Sequence, residues 1–175
     1  MLPDRRKPLD QAAYDRSTRS GPCFICELLA GNPAYRHHLI YQDAATIVFL
    51  NKYPNLYGHL LVAPVKHREQ VTGDFSPGEY LALQRVVYTV GEALRRVIAT
   101  ERLYLLSLGS QQGNRHVHWH VAPLPPAVPY EEQQFQAFNA KRGVITLREE
   151  ELAALAARIR AAMDELGTLL PAASS

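Results

Sequence analysis

Between residues 39 and 63 the chain alternates short apolar runs with turn-forming groups. Leu39 to Gln42, Thr46 to Leu50 and His59 to Ala63 are rich in β-branched and aromatic residues, and Asp43-Ala44-Ala45 and Asn51 to Gly58 separate them. This pattern predicts three antiparallel strands with short connections. A helical period follows. Leu83, Val86, Val87, Val90, Leu94 and Val97 mark one apolar face as far as Thr100. Ser76-Pro77-Gly78-Glu79 supplies the N-cap, first-turn proline and capping-box glutamate, with Phe75 and Tyr80 placed as a hydrophobic staple. Strand character returns at Leu103 to Leu108 and at His116 to Ala122, across the polar turn Gly109 to Asn114, which predicts a hairpin.

Cys23 to Gly31 reads as a short helix. Thr146 and Glu149 form a second capping box, ahead of the stripe Leu152, Leu155, Ile159, Met163 and Leu166. That stripe must pack on the sheet or on a partner subunit. The fold class expected is α+β: an antiparallel sheet of about five strands, a long helix packed on it and a C-terminal helical extension. Pro123 to Pro129 holds four prolines, which cannot join a central ladder. The organisation expected is a disordered arm over 1–20, one domain over 21–126, a helical extension over 127–170 and a disordered tail over 171–175.

Composition narrows the function classes. A chain of 175 residues with 47% apolar content can build a core without disulfides, and no apolar run approaches the roughly 18 residues of a membrane span. The first twenty residues carry five basic and three acidic side chains and no apolar stretch of the signal-peptide kind, so a cytoplasmic location is expected. A net charge of +2 is too small to imply a nucleic-acid polymer as partner, whereas a small anion is compatible with it.

The most informative run is His116-Val117-His118-Trp119-His120. On a strand, side chains at i, i+2 and i+4 leave from one face, so three imidazoles stand in a row. Positions i and i+4 lie about 13 Å apart at roughly 3.3 Å per residue, too far for all three to share one ion. Both cysteines fall in Cys23-Phe24-Ile25-Cys26, a spacing common in zinc sites; reduced cysteines packed as small hydrophobes and a redox dithiol are the other readings. His67, after the Pro64-Val65-Lys66 turn, and His116, at the start of the last strand, could complete a closed and therefore structural site. His118 is left as nucleophile or general base. A nucleophilic imidazole must be neutral, with its second N–H held by a strand carbonyl or another histidine. His59 is the candidate orienter.

His116-Val-His118-Trp-His120-Val-Ala resembles the motif that names the histidine triad superfamily of nucleotide hydrolases and transferases. The resemblance runs from about Cys23 to Pro123 and includes Cys23-Phe-Ile-Cys26, Tyr41-Gln-Asp43, Asn51-Lys-Tyr-Pro54 and Gly58-His59-Leu-Leu-Val-Ala-Pro64-Val-Lys-His67. It implies that His118 becomes nucleotidylated, that His120 contacts phosphate oxygens and that His59 supports the nucleophile. It places Asn51 on ribose hydroxyls, with Phe49 also toward the substrate, and zinc on Cys23, Cys26, His67 and His116. It also implies a homodimer and a small nucleotide as ligand. The turn before the triad is about three residues shorter than in many relatives, so the candidates for phosphate contacts are Ser107, Ser110, Gln111, Gln112 and Asn114, and Leu124 stands where an arginine is common. An amide at position 51 points toward the dinucleoside polyphosphate branch. The function expected is cleavage of a nucleoside 5′-phosphoryl linkage through a nucleotidyl-histidine; a non-catalytic nucleotide-binding scaffold and a metal-dependent hydrolase using the triplet are the alternatives.

Overall fold

Why Thr46–Leu50 and Leu60–Pro64 read as unbroken apolar runs is plain once their neighbours are in place, because every residue in both strands is buried. The computed structural model describes residues 5–109 and 113–169. Ser110, Gln111, Gln112 and the tail 171–175 lie outside the described residues. In chain order the elements are β1 (Arg6–Lys7), α1 (Gln11–Ser20), α2 (Phe24–Leu29), β2 (Leu39–Gln42), β3 (Thr46–Leu50), β4 (Leu60–Pro64), α3 (Pro77–Val97), β5 (Arg102–Leu106), β6 (Trp119–Leu124), β7 (Val144–Ile145) and α4 (Glu149–Leu169). Five strands make one antiparallel sheet in the order β2-β3-β4-β6-β5, and β1 pairs with β7 in a separate ribbon.

Alternation sorts the sheet into two faces. Val48, Leu50, Leu60, Val62, Trp119 and Val121 pack against α3 and α4, whereas Ile47, Phe49, Leu61 and Ala63 pack on Ile25 of α2. The helix α3 begins at the expected capping box, with Ser76 and Glu79 bonded reciprocally. Phe75 and Tyr80 meet edge to face at 6.1 Å, and both rings touch Trp119. The stripe on α4 covers this sheet, joining Leu155, Ile159 and Met163 to the core of α3. Arg160 donates to the carbonyls of Leu39 and Ile40, which satisfies acceptors on an edge strand that would otherwise invite another chain. No helix among the described residues is long and apolar enough to cross a membrane.

Three expectations need correction. The strand carrying the triad starts at Trp119, so His116 and His118 precede the ladder and only His120 belongs to it. The cause is register: β4 pairs with β6 from Leu60↔Val121 to Val62↔Trp119, and the Val117 N–H then turns to the Arg68 carbonyl at 2.7 Å. Pro123 does enter the strand, at a point where β6 is paired with β5 alone. The arm over 1–20, expected to be disordered, forms β1 and α1 from Arg6 to Ser20, with Asp10 capping α1 through the Ala13 N–H.

Two glycines are fixed by close approach. Gly58 has φ +82° ahead of His59, and a Cβ there would meet Ile98 Cδ1 at 2.2 Å. Gly113 donates its N–H to the Thr18 carbonyl at 2.7 Å, and a Cβ there would strike the Ser17 carbonyl at 2.3 Å. Gly113→Ala should therefore push α1 off the turn, at a cost of about 1–3 kcal/mol. Faster amide exchange confined to residues 11–20, with a lower melting temperature, is the expected result.

Candidate active site and metal centre

The departure of the chain from β4 leaves the His116 carbonyl outside the ladder, and His118 uses it. The Nδ1–H of His118 donates to that carbonyl at 2.7 Å, which leaves Nε2 as the bare nitrogen. The residue is 4% exposed, and burial pushes its basicity below the ordinary histidine value, so the ring is neutral at neutral pH. Phe24 of α2 lies edge-on to it, 5.5 Å between centroids. His120 stands beside it at 5.0 Å.

His59 hydrogen-bonds to His120 and not, as expected, to His118. Its Nε2 lies 3.0 Å from Nδ1 of His120, because position 59, two residues before Leu61, leaves from the same face of the sheet as the Leu61↔His120 pair. The orienter of His118 is thus the backbone of its own arm, and His59 orients His120. Burial, with the nearby imidazoles, lowers both members, His59 to about 3 and His120 to about 2. Phe138 closes the rear of His59, ring to ring at 5.9 Å.

The substrate candidates are scattered more widely. Asn51 is half-buried: its N–H donates to the His59 carbonyl, its Oδ1 accepts the Tyr53 N–H at 2.9 Å, and its Nδ2 lies 3.3 Å from His59 Nδ1. Phe49 is fully buried under Phe24 and His37, so it supports the wall formed by those rings. Ser107 follows β5 and is partly buried. Asn114 is hydrogen-bonded to the Tyr14 hydroxyl, and Tyr14 meets Tyr53 edge to face at 5.7 Å. Tyr14, Phe24, Arg68 and Phe138 are the site neighbours that sequence reasoning missed. Only Phe24, inside the cysteine motif, carried a signal that could have found it.

At the other end of the arm the four expected ligands converge. Cys23, Cys26, His67 and His116 present one donor atom each, all within 4.8 Å of one another. Cys23 Sγ is 3.4 Å from His116 Nδ1, and Cys26 Sγ is 3.2 Å from His67 Nδ1 and 3.7 Å from His116 Nδ1. A tetrahedron with bonds of about 2.0–2.3 Å has edges of about 3.3–3.8 Å, close to these separations, so the donor set fits a zinc ion. The tautomers fit as well. His116 Nε2–H donates to the Pro64 carbonyl at 2.9 Å, and His67 Nε2–H to Glu69 at 3.1 Å, which leaves both Nδ1 atoms free to ligate. Burial and the adjacent Cys23 push the Cys26 thiol up to about 11, a cost that a cation would reverse. Cys23 also caps α2, its sulfur accepting the Cys26 N–H. His118 and His120 take no part in this cluster, so the triplet does not form a shared metal site.

Fold and site together define a protein of the histidine-triad class. The HIT domain family model matches residues 32–126, more than half of the chain, and the chain belongs to that family, whose members are in general nucleotide-binding hydrolases and transferases. It is 27% identical over 106 residues to an uncharacterised HIT-like protein of Saccharolobus solfataricus, covering 58% of this chain and 73% of the relative. A hypothetical histidine triad nucleotide-binding protein from Sulfolobus tokodaii shares the fold with a TM-score of 0.66 at 24% identity, over 82% of this chain and 93% of its own. A Zn-bound histidine triad family protein from Mycobacterium smegmatis does so with a TM-score of 0.63 at 20% identity, over 85% and 97%.

Proposed function

We propose that the protein is a nucleotide hydrolase or nucleotidyltransferase that cleaves a nucleoside 5′-phosphoryl linkage through a covalent nucleotidyl-His118 intermediate. The observation that carries this reading is the 2.7 Å bond from His118 Nδ1–H to the His116 carbonyl, in a ring kept neutral by burial. The bare Nε2 attacks the α-phosphorus, a P–N bond forms, and the P–O bond to the leaving group breaks with its electron pair going to that oxygen. Water or phosphate then attacks the same phosphorus, the P–N bond breaks, and His118 is restored. His120 stands where it can donate to a phosphoryl oxygen as charge grows there. Asn51, Ser107 and Asn114, each half-buried, are the candidates for contacts with ribose and phosphate. The amide at position 51 supports dinucleoside polyphosphates as the substrate class.

Cys23, Cys26, His67 and His116 would hold a structural zinc, which would supply a fixed cross-link between α2, the end of β4 and the triad arm. The zinc in the Mycobacterium smegmatis relative supports this reading. A homodimer is supported by one exposed apolar face. Leu81 and Tyr88, seven residues apart on α3, are 67% and 57% exposed, and Leu105 on the α3 side of edge strand β5 is 52% exposed. Between them Gln84 Nε2 is buried with no hydrogen-bond partner among the described residues. Trp119 is spent on Phe75 and Tyr80 within the chain. A cytoplasmic location fits two thiols kept reduced for metal binding.

His118→Ala should abolish turnover across a panel of diadenosine polyphosphates, adenosine phosphoramidate and adenylyl sulfate, each with and without phosphate. Nucleotide affinity should stay within a few-fold; normal turnover by this variant would sink the mechanism. Removing metal with a chelator should lower the melting temperature and release about one zinc per chain, whereas loss of activity with the fold intact would point to a catalytic ion. Tyr88→Glu should convert dimer to monomer by light scattering.

A further inference from the structure

We infer that Phe138, which lies beyond the stretch matched to the HIT domain, is a positioning residue of the triad: its ring keeps water off the His59–His120 pair and so holds His120 in place beside the nucleophile. The groups form one line. Phe138 and His59 meet edge to face at 78°, 5.9 Å between centroids, and His59 Nε2 lies 3.0 Å from His120 Nδ1. His120 in turn is 5.0 Å from His118. Exposure falls along that line in the order a cover requires, because Phe138 is half-buried and His59 is 2% exposed. A half-buried phenyl ring against a buried imidazole is the layer between that imidazole and solvent.

The segment that carries Phe138 is anchored from three directions. Ala137, its neighbour in the chain, is buried in an apolar cluster with Leu56, Ala122 and Leu124. Leu56 is itself tied to the histidine, its carbonyl accepting the His59 N–H at 3.1 Å, so the extension docks on the turn that presents His59. Phe138 also meets the ring of Tyr104 on β5 at 5.7 Å, and the Tyr104 hydroxyl accepts the Gln134 N–H at 2.9 Å. Gln134 stands at φ +55°, in the left-handed region that a residue with a side chain occupies only where its surroundings hold it. The hydrogen bond to Tyr104 is such a restraint, four residues before Phe138.

The cover has a chemical consequence. Among the described residues, the titratable groups that act on the pair are its own two members and His118, and burial is the largest influence keeping both rings neutral. Asn51 Nδ2, 3.3 and 3.5 Å from the two ring nitrogens, lies over the face of His59, and Phe138 takes the edge-to-face contact. Water in place of that phenyl ring would solvate a cation and raise the basicity of the pair toward the ordinary value of 6.5. Here the inference rests on the reaction proposed above. The His118 ring becomes cationic as its Nε2 bonds to phosphorus, and a proton added to the pair beside it would oppose that step by like charge. Phe138 thus acts on catalysis through His59 and His120.

The test follows the ring Cε1–H signals of His59 and His120 by NMR in the full chain between about pH 5 and pH 8, with kcat for a diadenosine polyphosphate over the same range. In the wild type neither ring should titrate. Phe138→Ala should bring at least one titration into this window, with kcat reduced roughly tenfold near pH 6 and recovered by about pH 8, and KM within about twofold. Phe138→Leu, which restores an apolar cover, should return the flat profile. A role in stability alone predicts a lower melting temperature with no titration. Phe138→Ala with flat histidine signals therefore overturns the inference, and so does a wild-type pair that titrates in this window. If Phe138→Ala does not fold, Tyr104→Phe decides, because it removes only the acceptor of the Gln134 N–H: loss of kcat on the acid side supports the inference, and an unchanged profile sinks it. The histidine signals are read without substrate, so their failure leaves the His118 reaction standing, whereas normal turnover by His118→Ala removes that reaction and leaves the cover over the pair.

Discussion

The site depends on where β6 leaves β4. The ladder stops at Val62↔Trp119, and before that point the arm is held by two bonds of a different kind: the Val117 N–H to the Arg68 carbonyl, and the His116 ring to the Pro64 carbonyl. Had pairing continued, the carbonyl of His116 would belong to a strand ladder instead of orienting His118. Arg68 is what makes the alternative partner available. It is 9% exposed, its guanidinium lies 4.4 Å over the Phe75 ring, and it bonds to the Asp74 carbonyl and to Glu79. Glu79 also closes the capping box of α3. The start of α3, the loop after β4 and the triad arm are thus one connected unit.

His116 joins the two halves of the site through different atoms. Its Nδ1 faces the cysteine sulfurs, while its carbonyl takes the His118 proton. A residue fixed at both ends has little freedom to rotate, so order at the cysteine–histidine cluster passes to His118 over one peptide unit. Burial does the remaining electrostatic work: with His59, His116, His118 and His120 all held below the ordinary histidine value, the centre is uncharged before an anion arrives. In the reaction proposed above, attraction to phosphate must then come from N–H donors rather than from imidazolium charge.

Much of this was legible in residue order. The apolar strand runs, the capping box and staple of α3 and the amphipathic stripe of α4 are local signals, and the fold follows them closely; Cys23, Cys26, His67 and His116 come together in one cluster. What was not legible depended on register. The alternation His116 to His120 reads as strand throughout because alternation reports side-chain direction, not whether a ladder partner is present. The pairing of His59 with His120 rather than His118 is likewise a matter of which residues stand opposite across β4 and β6, and nothing local encodes it. Arg68 and Phe138 reach the site through tertiary packing alone.

The N-terminal segment shows the same limit from another side. Gln11 to Ser20 has no apolar stripe, and none of its residues is buried, so periodicity could not mark it as a helix. Its place is set instead by contacts with the turn before the triad: Thr18 receives the Gly113 N–H, and Tyr14 spans from Asn114 to Tyr53, two residues beyond Asn51. Gly109, at the other end of that turn, passes so close to His118 that a Cβ would lie 3.0 Å from Cε1. Its two described ends, Gly109 and Gly113, thus lie against His118 and against α1. A boundary at residue 21 would therefore cut between groups that are hydrogen-bonded to each other, Thr18 to Gly113 and Gly113 to Phe24.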